Sequence, residues 1–125
     1  MAENRKFVFV LTSSHDRPDV VAGAMQLATN MAAFDADLCF FLMDKAAMLA
    51  RKGFAETLVW QTKGQFSPVA DLMKTLIDEL GVKFYVCASC VKHAGVTPEN
   101  MIEGAEVKPG SYLGEMLMER QSLTF

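Results

Sequence analysis

Two thiols three positions apart, Cys87 and Cys90, follow directly on the apolar run Val82-Lys83-Phe84-Tyr85-Val86, and Lys92 and His93 come just after them. A cysteine reacts as its thiolate, and a thiolate is favoured where a strand ends and a helix begins. Unpaired backbone amides, the helix dipole and nearby cations all stabilise the negative sulfur there. Position and neighbours therefore predict Cys87 as a nucleophile. Cys90 is a second thiol in the first turn beyond, and Lys92 and His93 supply electrostatic support. The third cysteine, Cys39, sits mid-run between Leu38 and Phe40 and reads as a small buried hydrophobe.

The same spacing suits other chemistries. A Cys-x-x-Cys dithiol that follows a strand and opens a helix is also the thioredoxin-like arrangement, although here it comes late in the chain. Zinc would need four ligands, and no second pair at matching spacing accompanies Cys87, Cys90 and His93, so no metal is expected. Ser13 and His15 lie just past the first apolar run, where an anion contact or a general base could sit, as could a solvated turn. Asp44 follows the second run at the position of a helix N-cap. The nine methionines read as deformable core or subunit contact. Neither the Gly-x-Gly-x-x-Gly fingerprint nor a phosphate-binding Gly-x-x-x-x-Gly-Lys-Ser/Thr loop occurs, so a nucleotide site has no support.

The elements that must position these residues are legible in the apolar pattern. Lys6–Leu11, Leu38–Met43 and Val82–Val86 are nearly continuous apolar runs of strand length, as expected for strands buried on both faces. Between them, Val20, Ala24, Leu27, Ala28 and Met31 recur at helical spacing up to Phe34. Val69, Leu72, Met73, Leu76, Ile77 and Leu80 do so after Ser67-Pro68, predicting a helix that ends at Gly81. Lys45–Lys52 reads as a short helix stopped by Gly53, and Phe54–Phe66 as an edge strand or a flap. Towards the end come a brief strand at Ala105–Val107, a helix over Ser111–Arg120 with Leu113, Met116 and Leu117 facing inward, and a last strand at Ser122–Phe125.

Strands alternating with helices imply a parallel sheet covered on both faces, a three-layer α/β/α fold. Ligands of such sheets bind outside the carboxyl ends of the strands, so the loops beginning at Thr12, Met43 and Cys87 should form one rim.

At 125 residues the chain is one domain spanning 1–125. Its 51% hydrophobic and 22% charged residues exclude a disordered chain. A net charge of −3 without a Lys/Arg stripe argues against nucleic acid. The longest uncharged stretch, Val20 to Phe34, is too short and too polar to span a membrane, and no secretory signal pattern opens the chain, so a cytoplasmic location with reduced thiols is expected. The apolar and small residues around much of the first helix, with Trp60 and Phe66, predict a homo-oligomer.

Val82-Lys83-Phe84-Tyr85-Val86-Cys87, with Gly95-Val96 eight and nine positions beyond the cysteine and then Glu103-Gly104-Ala105, resembles the DsrE/DsrF/TusD-like sulfur-relay family. The opening strand, Asp44 and the final Leu123-Thr124-Phe125 extend the likeness over nearly the whole chain. The resemblance implies a mainly parallel, five-stranded α/β/α domain that assembles into trimers, hexamers or related hetero-oligomers, with a persulfide-carrying cysteine after a late strand. Cys87 matches that cysteine by its distance to Gly95, whereas Cys90 lies outside the minimal pattern and leaves a dithiol mechanism open. The partners implied are sulfur-donor and sulfur-acceptor proteins, rhodanese-like or TusA-like, and no cofactor is required. A thiol–disulfide redox protein and a non-catalytic scaffold subunit are the alternatives.

Overall fold

The computed structural model describes residues 5–58 and 68–125. Five strands, β1 (Lys6–Leu11), β2 (Asp37–Leu42), β3 (Lys83–Cys87), β4 (Ala105–Lys108) and β5 (Gln121–Thr124), form one sheet in the order β4-β3-β2-β1-β5, every pair parallel. Helices make the crossovers: α1 (Pro18–Ala32) between β1 and β2, α2 (Val69–Lys74) before β3, the single turn α3 (Val91–Ala94) before β4, and α4 (Gly110–Glu119) between β4 and β5.

Both faces of the central strands are buried, which is why their sequences run apolar without alternation. On one face Phe9, Phe40 and Phe84 are in register across β1, β2 and β3. Their rings meet at 5.1 Å (Phe9–Phe40) and 4.5 Å (Phe40–Phe84), and all three are fully buried. At about 2–3 kcal/mol for each large apolar side chain removed from water, this ladder is a major part of what holds the sheet. Val21, Met25 and Ala28 of α1 and Leu72, Met73 and Leu76 cover it. The opposite face is smaller: Val8, Val10, Cys39, Phe41 and Cys87 under Met116 of α4, with Tyr85, Tyr112 and Leu113 at the margin.

Several local expectations are corrected. The segment after β2 is a 3-10 helix, Asp44–Ala50, with Met43 at its N-cap and no side-chain cap bond, so Asp44 is not the cap its position suggested. The stripe from Val69 to Leu80 starts as α2 but widens into a π-helical turn over Thr75–Glu79, where Leu80 donates its N–H to Thr75 O. The wider turn shifts the angular phase of the residues that follow, and Leu80 ends 40% exposed rather than on the core stripe. Leu117, expected to face inward, is 44% exposed, because Met116 takes the buried position of α4. Phe54–Leu58 forms a turn and a short 3-10 segment, Ala55–Thr57. The rest of the segment read as an edge strand or flap, with Trp60, Phe66 and the helix-starting Ser67, lies outside the described residues. No helix among the described residues is long and apolar enough to cross a membrane.

Candidate functional site

The parallel arrangement brings the carboxyl ends of β1, β2 and β3 to one rim, and all of the expected site residues are on it or just beyond. Cys87 is the last residue of β3 and is 5% exposed. Its side chain faces the α4 layer, packed in the cluster with Val10, Phe41 and Met116. Cys90 closes the turn that follows, donating its N–H to Cys87 O at 3.0 Å, and its side chain is half-buried between the two core clusters. The Cys87 and Cys90 thiols are close enough to act on one another, and all three cysteines are free.

The donor that reaches the Cys90 sulfur comes from another element. Asp44 points its backbone N–H at Cys90 Sγ, 3.2 Å away, from a left-handed conformation with φ 51°. The helix expected to supply this field is the four-residue α3, and Lys92 and His93 are exposed on it, with no hydrogen bond or ion pair to either sulfur among the described residues. At Cys90 the surroundings act mainly against the charged sulfur. Desolvation pushes its thiol above the ordinary value, the Asp44 N–H opposes this, and contact with Cys87 and the nearby Asp44 carboxylate add to the rise.

Beyond β1, Ser13 is half-buried and Ser14 fully buried. Ser14 Oγ lies 3.2 Å from Nδ1 of the exposed His15, whose ring meets Phe54 edge-on at 6.4 Å. Asp16 accepts the Ser14 N–H at 3.0 Å, which together with Lys45 (3.5 Å) holds its carboxyl below the usual carboxylate range. Ser13, His15 and Asp16 thus shape the rim beside the Asp44–Lys45 turn, with no described hydrogen bond to either thiol. His/Cys/Asp/Glu clusters able to hold a metal ion are absent among the described residues.

Sequence reading missed a group on the other side of Cys87. Lys108 of β4 is its register partner, and Tyr85, two residues before Cys87, faces the same way. Tyr85 and Tyr112 of α4 meet edge-on at 5.0 Å with hydroxyl oxygens 3.4 Å apart. Lys108 Nζ lies 4.8 Å from the Tyr112 ring centre and 3.5 Å from Glu106 Oε2. Desolvation and the contact with Tyr112 push the Tyr85 hydroxyl well above its ordinary value, so it stays protonated. The alternation of β4 puts Glu106 and Lys108 on one face, but only the pairing with β3 reveals that the face is that of Cys87.

The model of the DsrE/DsrF-like family matches residues 5–125. The chain belongs to the DsrE/DsrF-like family. Its fold is similar to that of the YchN protein from E. coli, with a TM-score of 0.76 at 18% identity over 98% of this chain and all of the other. It is also similar to MTH1491 from Methanobacterium thermoautotrophicum, a protein of unknown function, with a TM-score of 0.64 at 12% identity over the same shares. No curated protein matches. The five-stranded parallel α/β/α architecture expected of a DsrE/DsrF-like member is the one observed.

Proposed function

We propose that this DsrE/DsrF-like protein is a sulfur-relay carrier and that Cys87 is its acceptor. The supporting observation is Cys87 at the carboxyl end of a central parallel strand, with the Cys90 thiol beside it, at the position where this sheet architecture builds sites. In the reaction, Cys87 thiolate attacks the outer sulfur of a donor persulfide, R–S–SH. The donor S–S bond breaks, the donor leaves as its thiolate, and a Cys87 persulfide forms with no net oxidation. An acceptor thiolate then takes the outer sulfur in the same way and regenerates Cys87. No metal or organic cofactor enters the cycle. Donor and acceptor are proteins, rhodanese-like or TusA-like, and Ser13, His15, Asp44, Lys92 and His93 on the rim form the docking surface. Three free thiols suit a reducing compartment, the cytoplasm. The chain acts as a single domain in a homo-oligomer, a trimer or hexamer, which would cover Leu117 (44% exposed) and Met118 (88% exposed) of α4.

The contact between the two thiols favours a second reading, in which Cys87 and Cys90 cycle between dithiol and disulfide. Intact mass after exposure to a persulfidated small thiol separates the two. Gain of one sulfur is expected, retained in Cys90→Ser, and loss of two hydrogens that no sulfur gain precedes, with no sulfur gain in Cys90→Ser either, overturns the relay reading in favour of redox cycling.

A further inference from the structure

Within the relay reading, we infer that Lys108 makes the Cys87 niche selective for reactants that carry negative charge, so that a donor whose S–SH group sits beside an anionic group such as a carboxylate is taken in preference to an uncharged one. Lys108 and Cys87 are directly paired on adjacent strands, and adjacent strands run about 4.8 Å apart. The two side chains rise from the same face. The Lys108 side chain is only 31% exposed, and its ammonium lies 4.8 Å from the Tyr112 ring centre. A cation held against an aromatic face is partly desolvated and acts at longer range than one in open water.

The other charged or titratable groups around Cys87 leave Lys108 as the source of positive potential. Tyr85 from β3 and Cys90 are held towards their neutral forms, and Tyr112 of α4 lies with its hydroxyl 3.4 Å from that of Tyr85. Asp44 reaches the site through Cys90 and carries negative charge. Glu106 on β4 opposes Lys108 from 3.5 Å, but its side chain is 61% exposed, where ion pairs are weak and screened. Lys92 and His93, the cations prominent in the sequence, are exposed on α3, away from the face on which Cys87 lies. Among the described residues, an incoming anion therefore meets its attractive site on the β4 side.

The potential can be read without any sulfur chemistry, by comparing alkylation of Cys87 by iodoacetate, an anion, and iodoacetamide, its neutral isostere, with the label located by peptide mass spectrometry. Both reagents need the same opening of a 5% exposed thiol, so the ratio of their rates cancels access and reports charge. Lys108→Met should lower the iodoacetate-to-iodoacetamide ratio about threefold to tenfold, the size expected for one charge at this range. Lys108→Arg should restore it, and Glu106→Gln should raise it. An unchanged ratio in both Lys108→Met and Glu106→Gln overturns the inference, as does a Cys87 that neither reagent labels in the unmodified protein. Because the thiol carries no extra sulfur in this test, failure of the relay reading shows separately, as a missing sulfur in the intact-mass measurement.

Discussion

Asp44 points its backbone N–H at Cys90 Sγ, 3.2 Å away, from the left-handed conformation, φ 51°, that most non-glycine residues avoid and Asp and Asn tolerate best. Strain of this kind costs on the order of 1–3 kcal/mol and persists where the surroundings impose it, commonly at functional sites. The amide favours a charged sulfur while the carboxylate of the same residue disfavours it.

Separating these two effects gives the first prediction. Asp44→Asn keeps the amide and tolerates the left-handed backbone but removes the charge. The pH at which Cys90 becomes half-maximally reactive towards iodoacetamide should therefore move down. An upward or absent movement would show that the carboxylate does not act on Cys90. Asp44→Val, β-branched at positive φ, should destabilise the fold by about 1–3 kcal/mol in urea titration.

Cys39 predicts the alkaline limit of stability. Burial pushes its thiol up to about 11 from 9.0, opposed by the nearby Arg120 guanidinium. The folded state thus prefers the neutral thiol, and the stability this confers is intact below pH 9 and is lost as the pH climbs towards 11. Two pH units of displacement correspond to roughly 2–3 kcal/mol. Tyr85, also pushed up by desolvation, adds loss in the same direction. Denaturant titrations between pH 8 and 11 should show this decline, and Cys39→Ala should flatten it while lowering stability at pH 8. An equally steep decline in the variant would assign the effect elsewhere.

Arg120 closes the amino ends of β1 and β2. One of its nitrogens, Nη1, donates to Phe7 O and Asp37 O, each at 3.0 Å, and to Asp37 Oδ1 at 3.2 Å, with the Arg side chain mostly buried. Arg120→Ala should cost about 1–3 kcal/mol, chiefly from the carbonyls left without their charged donor. Arg120→Lys should recover only part, since an ammonium is more strongly hydrated than a guanidinium and costs more to bury. Urea midpoints at pH 7 measure both.

The sheet was legible because burial on both faces leaves a mark that alternation cannot imitate: the runs Lys6–Leu11, Leu38–Met43 and Val82–Val86 each became a central strand or its continuation. The rim location of Cys87 followed from the same reading. What was hidden depends on partners distant in sequence or on backbone angles. Lys108 is 21 positions from Cys87 and becomes its neighbour only through the β3–β4 pairing, and the Asp44 amide donates from a φ that its residue type does not announce. The π turn was invisible for a related reason, since Ile77 and Leu80 carry the same apolar signal whether the helix is wound at 3.6 residues per turn or wider. Lys92 and His93 follow Cys87 closely in sequence, but proximity along the chain says nothing about the direction of the Cys87 side chain, which the strand sets.

Among the described glycines, Gly104 is the one where an added methyl group would clash with a neighbour. It has φ 92°, and a Cβ there would lie 2.5 Å from Cγ2 of Ile77, at the π turn. Gly104→Ala should lose about 2–4 kcal/mol by combining backbone strain with overpacking. Adding Ile77→Ala should recover only the overpacking part, leaving the positive φ unrelieved. Full additivity of the two losses in a double-mutant cycle would rule out the clash.

The last prediction separates the two thiols of the rim. Cys87 is fixed by the sheet and closed in under α4, whereas Cys90 is half-buried in the turn, so the more accessible sulfur is not the one assigned as acceptor. Cys87→Ser should abolish sulfur loading and cost about 1–3 kcal/mol of stability for a hydroxyl buried in an apolar niche, and Cys87→Ala should abolish loading equally. Cys90→Ser should leave the sulfur on Cys87 and slow its release as sulfide. In that release Cys90 thiolate attacks the inner sulfur of the Cys87 persulfide, forms the Cys87–Cys90 disulfide and expels hydrosulfide. The disulfide then needs a thiol reductant, so in the unmodified protein sulfide release should be accompanied by loss of two hydrogens that dithiothreitol restores. Peptide mass spectrometry of each single variant after loading decides the assignment. Sulfur found on Cys90 at undiminished yield in Cys87→Ser would transfer the acceptor role to Cys90, the thiol that the Asp44 amide touches.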